Sequence, residues 1–92
     1  MIPPSPSQEI LQVIVRNRTG VLFEGPAGAV SAYNERGLFD VLPRHSNFIS
    51  IIRQSLIIRQ ETGGDPIRID LQSGVLKVYK NAVEVYVGIV QS

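Results

Sequence analysis

The sequence predicts an all-β fold, a β-sandwich of two packed sheets built from about eight to ten short strands. Three observations predict it. Apolar residues recur with period two in short runs. Turn-forming residues separate those runs. The middle of the chain is crowded with β-branched isoleucines, whose stiff side chains favour strands.

Taken in order, Met1 to Glu9 carries three prolines and reads as a stiff lead-in, and residues 10–92 read as one sandwich domain. Ile10–Arg16 is the first strand, with Leu11, Val13 and Val15 on one face. Asn17-Arg18-Thr19-Gly20 is turn chemistry. Val21–Glu24 is a short strand ended by Gly25-Pro26. Gly28–Tyr33 is a third, setting Ala29, Ser31 and Tyr33 against Val30 and Ala32. Asn34-Glu35-Arg36-Gly37 turns the chain into Leu38–Leu42, which stops at Pro43.

Phe48–Gln60 allows two periods. Phe48, Ile51, Ile52 and Leu56 have near-helical spacing, but the isoleucines favour two strands, Phe48–Ile52 and Leu56–Arg59, joined at Arg53-Gln54-Ser55. Thr62-Gly63-Gly64-Asp65 is a hairpin turn. Ile67, Ile69 and Leu71 then alternate with Arg68, Asp70 and Gln72. Ser73-Gly74 interrupts the pattern, Leu76 and Val78 resume it, and Lys80-Asn81 turns the chain. Val83, Val85, Val87 and Ile89 close it. Such alternation buries one face of a sheet and wets the other. This many strands in about 80 residues must pack as two layers.

Composition narrows the function. The chain has 92 residues, room for one domain that buries about two-thirds of its unfolded surface. It has no cysteine, so neither disulfides nor thiolate metal sites can form. Nine Lys and Arg against eight Asp and Glu give a formal charge of +1, without the basic excess of a nucleic-acid binder. No apolar run approaches the roughly 20 residues of a membrane span, and the N-terminus has no signal-peptide pattern. These features point to a soluble, cytoplasmic chain.

Catalysis finds little support. His45 is the only histidine, and its neighbour Ser46 is adjacent in sequence alone. Asp40, Asp65 and Asp70 are scattered, no metal-ligand cluster exists, and Gly63-Gly64 lacks the rest of a phosphate loop. No cofactor is implied. The segment that stands out is Gly37–Phe48. It joins apolar density, a proline-fixed turn, a cation and the histidine, and reads either as strand, turn and strand or as a rigid corner used for binding.

That segment resembles the Gly-Glu-Leu-Gly-Val-Leu-Pro-Gly-His-Ala-Pro-Leu stretch of F-type ATP synthase epsilon subunits, in their N-terminal β-sandwich domain. The Leu42-Pro43-x-His45 core is kept. Leu11–Val15 with Val21–Gly25 resembles the family's first hairpin. Leu71–Val78 resembles its Val-Ser-Gly-Gly-Phe-Leu-Glu-Val, and Asn81–Val85 its closing Asn-x-Val-x-Val. Arg44 and Asn47 stand where Gly and Pro are usual, and the Leu-Pro-Arg-His-x-x-Phe form is closer to the alternate N-type branch. The family's C-terminal helical hairpin has no counterpart in these residues, so its inhibitory and ATP-sensing roles are not carried over.

The resemblance implies a non-catalytic central-stalk subunit, peripheral on the cytoplasmic face of the inner membrane, that couples the gamma subunit to the c-ring during ion-driven ATP synthesis or hydrolysis. It implies that Arg44, His45 and Phe48, with Ser73, Gly74 and Leu76, face gamma. Asn34, Glu35, Arg36, Leu38 and Phe39 would approach the c-ring, although Phe39 reads sooner as core than as interface and Leu38 replaces a usual Glu. Ser73-Gly74 reads also as a bulge requiring a small residue. The other readings are a generic sandwich or barrel binding carbohydrate or single-stranded nucleic acid, and a small hydrolase built on His45.

Overall fold

The computed structural model describes residues 10–88. The expected lead-in before Ile10, and Ile89 of the last strand, lie outside them.

Seven strands form the fold: β1 (Leu11–Asn17), β2 (Gly20–Ala27), β3 (Ala29–Asn34), β4 (Gly37–Val41), β5 (Phe48–Arg59), β6 (Ile67–Tyr79) and β7 (Ala82–Val87). They hydrogen-bond in the order β2-β1-β7-β6-β5-β3-β4. All neighbours are antiparallel except β1 and β7, which run parallel.

This one ladder makes two layers. β7 pairs only with the 74–79 half of β6. β3 pairs only with the 53–59 half of β5. One layer is therefore β2-β1-β7 with the adjoining halves of β6 and β5, and the other is β4-β3 with the remaining halves. In a flat sheet β1 and β3, four steps apart, would be separated by about 19 Å. Yet Val13 and Val15 share a single core with Val30 and Ala32, so the sheet folds over on itself. Fourteen buried apolar residues make that core, among them Leu11, Ile52, Leu56, Ile58, Leu76, Val83 and Val85.

The strand count is lower than expected because two anticipated interruptions are bulges. Pairing runs Ile52↔Gly74 and then Gln54↔Leu71, so across the β5–β6 ladder Arg53 on β5 and Gln72 and Ser73 on β6 have no opposite residue. Gln54 takes φ 70, a left-handed conformation uncommon outside glycine. Bulges bend a strand and deepen its twist, and here they lie where the long strands pass from one layer to the other. Phe48–Ile52 and Leu56–Arg59 are thus one bent strand, and the segments flanking Ser73-Gly74 are another.

β2 also outruns its expectation, continuing through Gly25-Pro26 to Ala27. Pro26 pairs with Gln12 on an edge strand, whose outer side has no ladder to complete. In β3, Ser31 is buried together with Val30 and Ala32, and its hydroxyl donates to Asp40 Oδ1 at 2.6 Å.

Candidate functional site

The Leu42–Asn47 corner links β4 to β5. His45 N donates to Leu42 O at 3.0 Å, closing a four-residue turn. Pro43 fixes φ at the second position and Arg44 has φ 73 at the third, the pattern of a type II turn. The third position favours glycine, which explains the Gly that Arg44 replaces.

Two asparagines clasp this corner to the β6–β7 turn. Arg44 N donates to Asn81 Oδ1 at 2.8 Å, and Lys80 N donates to Asn47 Oδ1 at 3.0 Å. The Asn81 carbonyl accepts from Gln12 N at 2.8 Å, tying β1 to the same point. Asn47 therefore supplies a bond that a proline in its place would lack.

His45, Phe48 and Phe39 stack edge to face. Phe48 lies 5.5 Å from Phe39 at 67°, and 5.5 Å from His45 at 63°. Both phenylalanines pack on the core. His45 Nδ1 lies 2.7 Å from Ser46 O, so in the neutral ring Nδ1 carries the proton and Nε2 keeps a lone pair.

The six residues expected at one interface do not share one place. Arg44, His45 and Phe48 form the corner. Ser73 and Gly74 lie at the β6 bulge, about 13 Å along the strand from Val78, the partner of Phe48. Leu76 is fully buried and has no surface of its own to offer. A Cβ on Gly74 would meet Tyr86 O at 2.7 Å, so the small residue is required by β7 whatever else touches it. Beside it, Gly88 N donates to Ser73 O at 2.7 Å.

The other set is more compact. Asn34, Glu35 and Arg36 form the β3–β4 turn, where Arg36 N donates to Asn34 Oδ1 at 2.8 Å and Gly37 takes φ 110. Leu38 is exposed, whereas Phe39 turns inward onto Phe48. Phe39 thereby joins the turn's strand to the corner. A cavity of about 370 Å³ lies between this turn and the Ile49–Ile51 stretch of β5, with Arg53 on its wall.

One surface was not anticipated. Ile51 pairs with Val75, Val75 with Tyr86, and Tyr86 with Arg16, so the four make a row across four strands. Ile51, Val75 and Tyr86 are 73%, 43% and 57% exposed, and the Arg16 guanidinium sits 5.6 Å over the Tyr86 ring. The register gives this away, and the sequence does not.

Among the described residues, no three His, Asp or Glu side chains converge as metal ligands, and no helix is long and apolar enough to cross a membrane. Residues 10–91 match the family model of the ATP synthase, Delta/Epsilon chain, beta-sandwich domain. The chain belongs to this family.

A curated relative, the ATP synthase epsilon chain of Sulfurovum sp. (strain NBC37-1), is 26% identical over 70 residues, covering 76% of this chain and 55% of the relative. The domain thus spans about half that protein's length. Among solved structures, a chain of the Euglena gracilis mitochondrial ATP synthase (OSCP/F1/c-ring) superposes with TM-score 0.78 at 14% identity, over 95% of this chain and 59% of that one. A chain of the Tetrahymena thermophila mitochondrial ATP synthase (central stalk/c-ring) gives TM-score 0.72 at 12% identity, over 90% and 66%. The delta/epsilon-type sandwich expected from the Leu-Pro-x-His and Asn-x-Val-x-Val segments is the fold this chain adopts.

Proposed function

We propose that the domain is a non-catalytic rotor part of an F-type ATP synthase, coupling the gamma subunit to the c-ring from the cytoplasmic face of the membrane. The observation that carries this reading is the family match over residues 10–91, to a domain of ATP synthase chains. Both solved relatives belong to assemblies that include a c-ring. The geometry suits the task. A rotor part must pass torque without deforming, and a closed core at native packing density deforms little.

In this reading gamma meets the clasped corner, Arg44, His45 and Phe48, together with exposed Ser73. Gly74 and Leu76 act from beneath, holding β6 in place. The Asn34–Arg36 turn and Leu38 approach the c-ring, and the Phe39–Phe48 contact mechanically joins the two ends.

Phe48 is the anchor to test. Gamma co-expressed with the tagged chain co-purifies with it, and Phe48→Ala, checked for intact secondary structure, loses about 3 kcal/mol of binding if the ring is buried in the complex. Unchanged retention of gamma by a folded Phe48→Ala variant would reject the corner as the grip.

A further inference from the structure

We propose that the cavity between the β3–β4 turn and β5 receives a carboxylate side chain, carried on an apolar-flanked loop of the c-ring and clamped by Arg36 and Arg53. The proposal rests on the rotor reading and adds the chemistry of the contact.

Charge is the first argument. Arg36 and Arg53 both line the cavity, and neither guanidinium forms an ion pair with a described residue; Arg68 pairs with Asp70 elsewhere. Glu35 on the same rim likewise forms no ion pair with a described residue. Two cations against one anion leave a single positive charge to neutralise. That balance suits one carboxylate and disfavours a multiply charged phosphate. Guanidinium groups match the planar geometry of a carboxylate.

The walls are the second argument. Ile49 and Ile51 are 66% and 73% exposed beside the arginines. Between them Ser50 accepts from Asn34 Nδ2 at 3.3 Å, bracing the turn against β5. A carboxylate with apolar neighbours in its loop would cover the isoleucines as the charges pair. About 370 Å³ is the small end of the ~300–1,000 Å³ typical of ligand sites, enough for a loop tip.

Backbone geometry is the third. Arg53 falls at the register shift of both β3–β5 and β5–β6, next to Gln54 at φ 70. Bulges re-aim side chains and recur beside functional sites, and strained conformations persist where the surroundings enforce them. Here the bulge places Arg53 in the lining of the same cavity as Arg36. Leu38 is exposed and adds no charge here, so Arg36 and Arg53, with Glu35, are the charged part of the end. The polarity is that of an acidic partner.

Two measurements test this. First, the full chain labelled with ¹⁵N is titrated with acetyl-Leu-Glu-Leu-amide and with its Gln analogue. The Glu peptide is expected to shift the Arg36 and Arg53 Nε–H signals and the Ser50 amide, at least tenfold more than the Gln peptide at equal concentration. Equal shifts from both peptides, or none, would overturn the site.

Second, gamma-bound chain is used to capture detergent-solubilised c-ring. The Arg36→Glu/Arg53→Glu variant is expected to hold gamma as before and to retain at least tenfold less ring. The Arg36→Gln/Arg53→Gln variant loses less, and Arg68→Glu is unchanged. If the charge-reversed variant keeps the ring as well as the parent does, the clamp is wrong while the rotor reading stands. If the parent captures neither gamma nor ring, the rotor reading fails, and with it the ring loop as the occupant.

Discussion

Replacing Gly74 with alanine places a methyl group 2.7 Å from the carbonyl oxygen of Tyr86 and 3.4 Å from Val87 Cα, both backbone atoms of β7. Ordinary contact begins at about 3.4 Å, so β6 and β7 must part by roughly 0.7 Å at the Tyr86 carbonyl. The strands cannot part freely, because Gly88 N donates to Ser73 O at 2.7 Å just beside the site. Overpacking of this kind costs about 1–3 kcal/mol. Weakening the neighbouring hydrogen bond adds up to about 1 kcal/mol. The lower entropy of an unfolded alanine returns about 0.4–1 kcal/mol. The net loss centres on about 2 kcal/mol, a fall in Tm of roughly 8–16 °C for a domain of this size. Thermal unfolding followed by far-ultraviolet circular dichroism reads it directly. Gly28→Ala is the control: its Cβ would meet Glu61 Cα at 3.6 Å and Arg59 O at 3.8 Å, ordinary contact distances. That variant should stay within about 0.5 kcal/mol of the parent or gain slightly. If Gly74→Ala unfolds with the parent, or if both variants fall equally, the close approach of β6 and β7 is not what fixes this glycine.

Further outcomes are expected at the corner and in β3. Arg44→Gly should be more stable than Arg44→Ala by about 1 kcal/mol, since both lose the side chain but only glycine adopts φ 73 without strain; equal melting temperatures would refute the left-handed turn. Asn81→Ala removes the acceptor of Arg44 N, and a loss of about 1–2 kcal/mol with faster hydrogen exchange at the Arg44 amide is expected; unchanged exchange would mean the clasp does not hold the corner. Asp40→Ala strands the buried Ser31 hydroxyl and should cost about 1–3 kcal/mol, most of it recovered by adding Ser31→Ala; a double variant as unstable as the single would count against the pairing.

Much of the architecture could be read from alternation. Leu11, Val13 and Val15, and later Val83 and Val85, are inward-facing as their period requires. β5 resisted such reading. Ser50 lies on the inner side while Ile49 and Ile51 face out, so polarity there runs opposite to burial. Arg53-Gln54-Ser55 contains neither glycine nor proline, and residue type cannot show that Gln54 takes φ 70 within a continuous strand. The corner's histidine and phenylalanine stood out locally. Its clasp did not, because Asn47 and Asn81 reach partners more than thirty residues away. Arg36 was named at the ring end by resemblance, whereas Arg53 was legible only as a junction; the β3–β5 register is what brings it to the same cavity.

The parallel pairing of β1 with β7 imposes an order on assembly. The hairpin of β1 and β2 hydrogen-bonds to the remainder of the ladder through β7 alone, the last strand described. During synthesis that hairpin must wait, unpaired along β1, until the polypeptide has been made through Val87. Long-range closure of this kind slows folding, and it ties the opening hairpin's fate to the last described strand: interrupting β7 would leave that hairpin joined to the other strands by core packing without a ladder, rather than trim one edge.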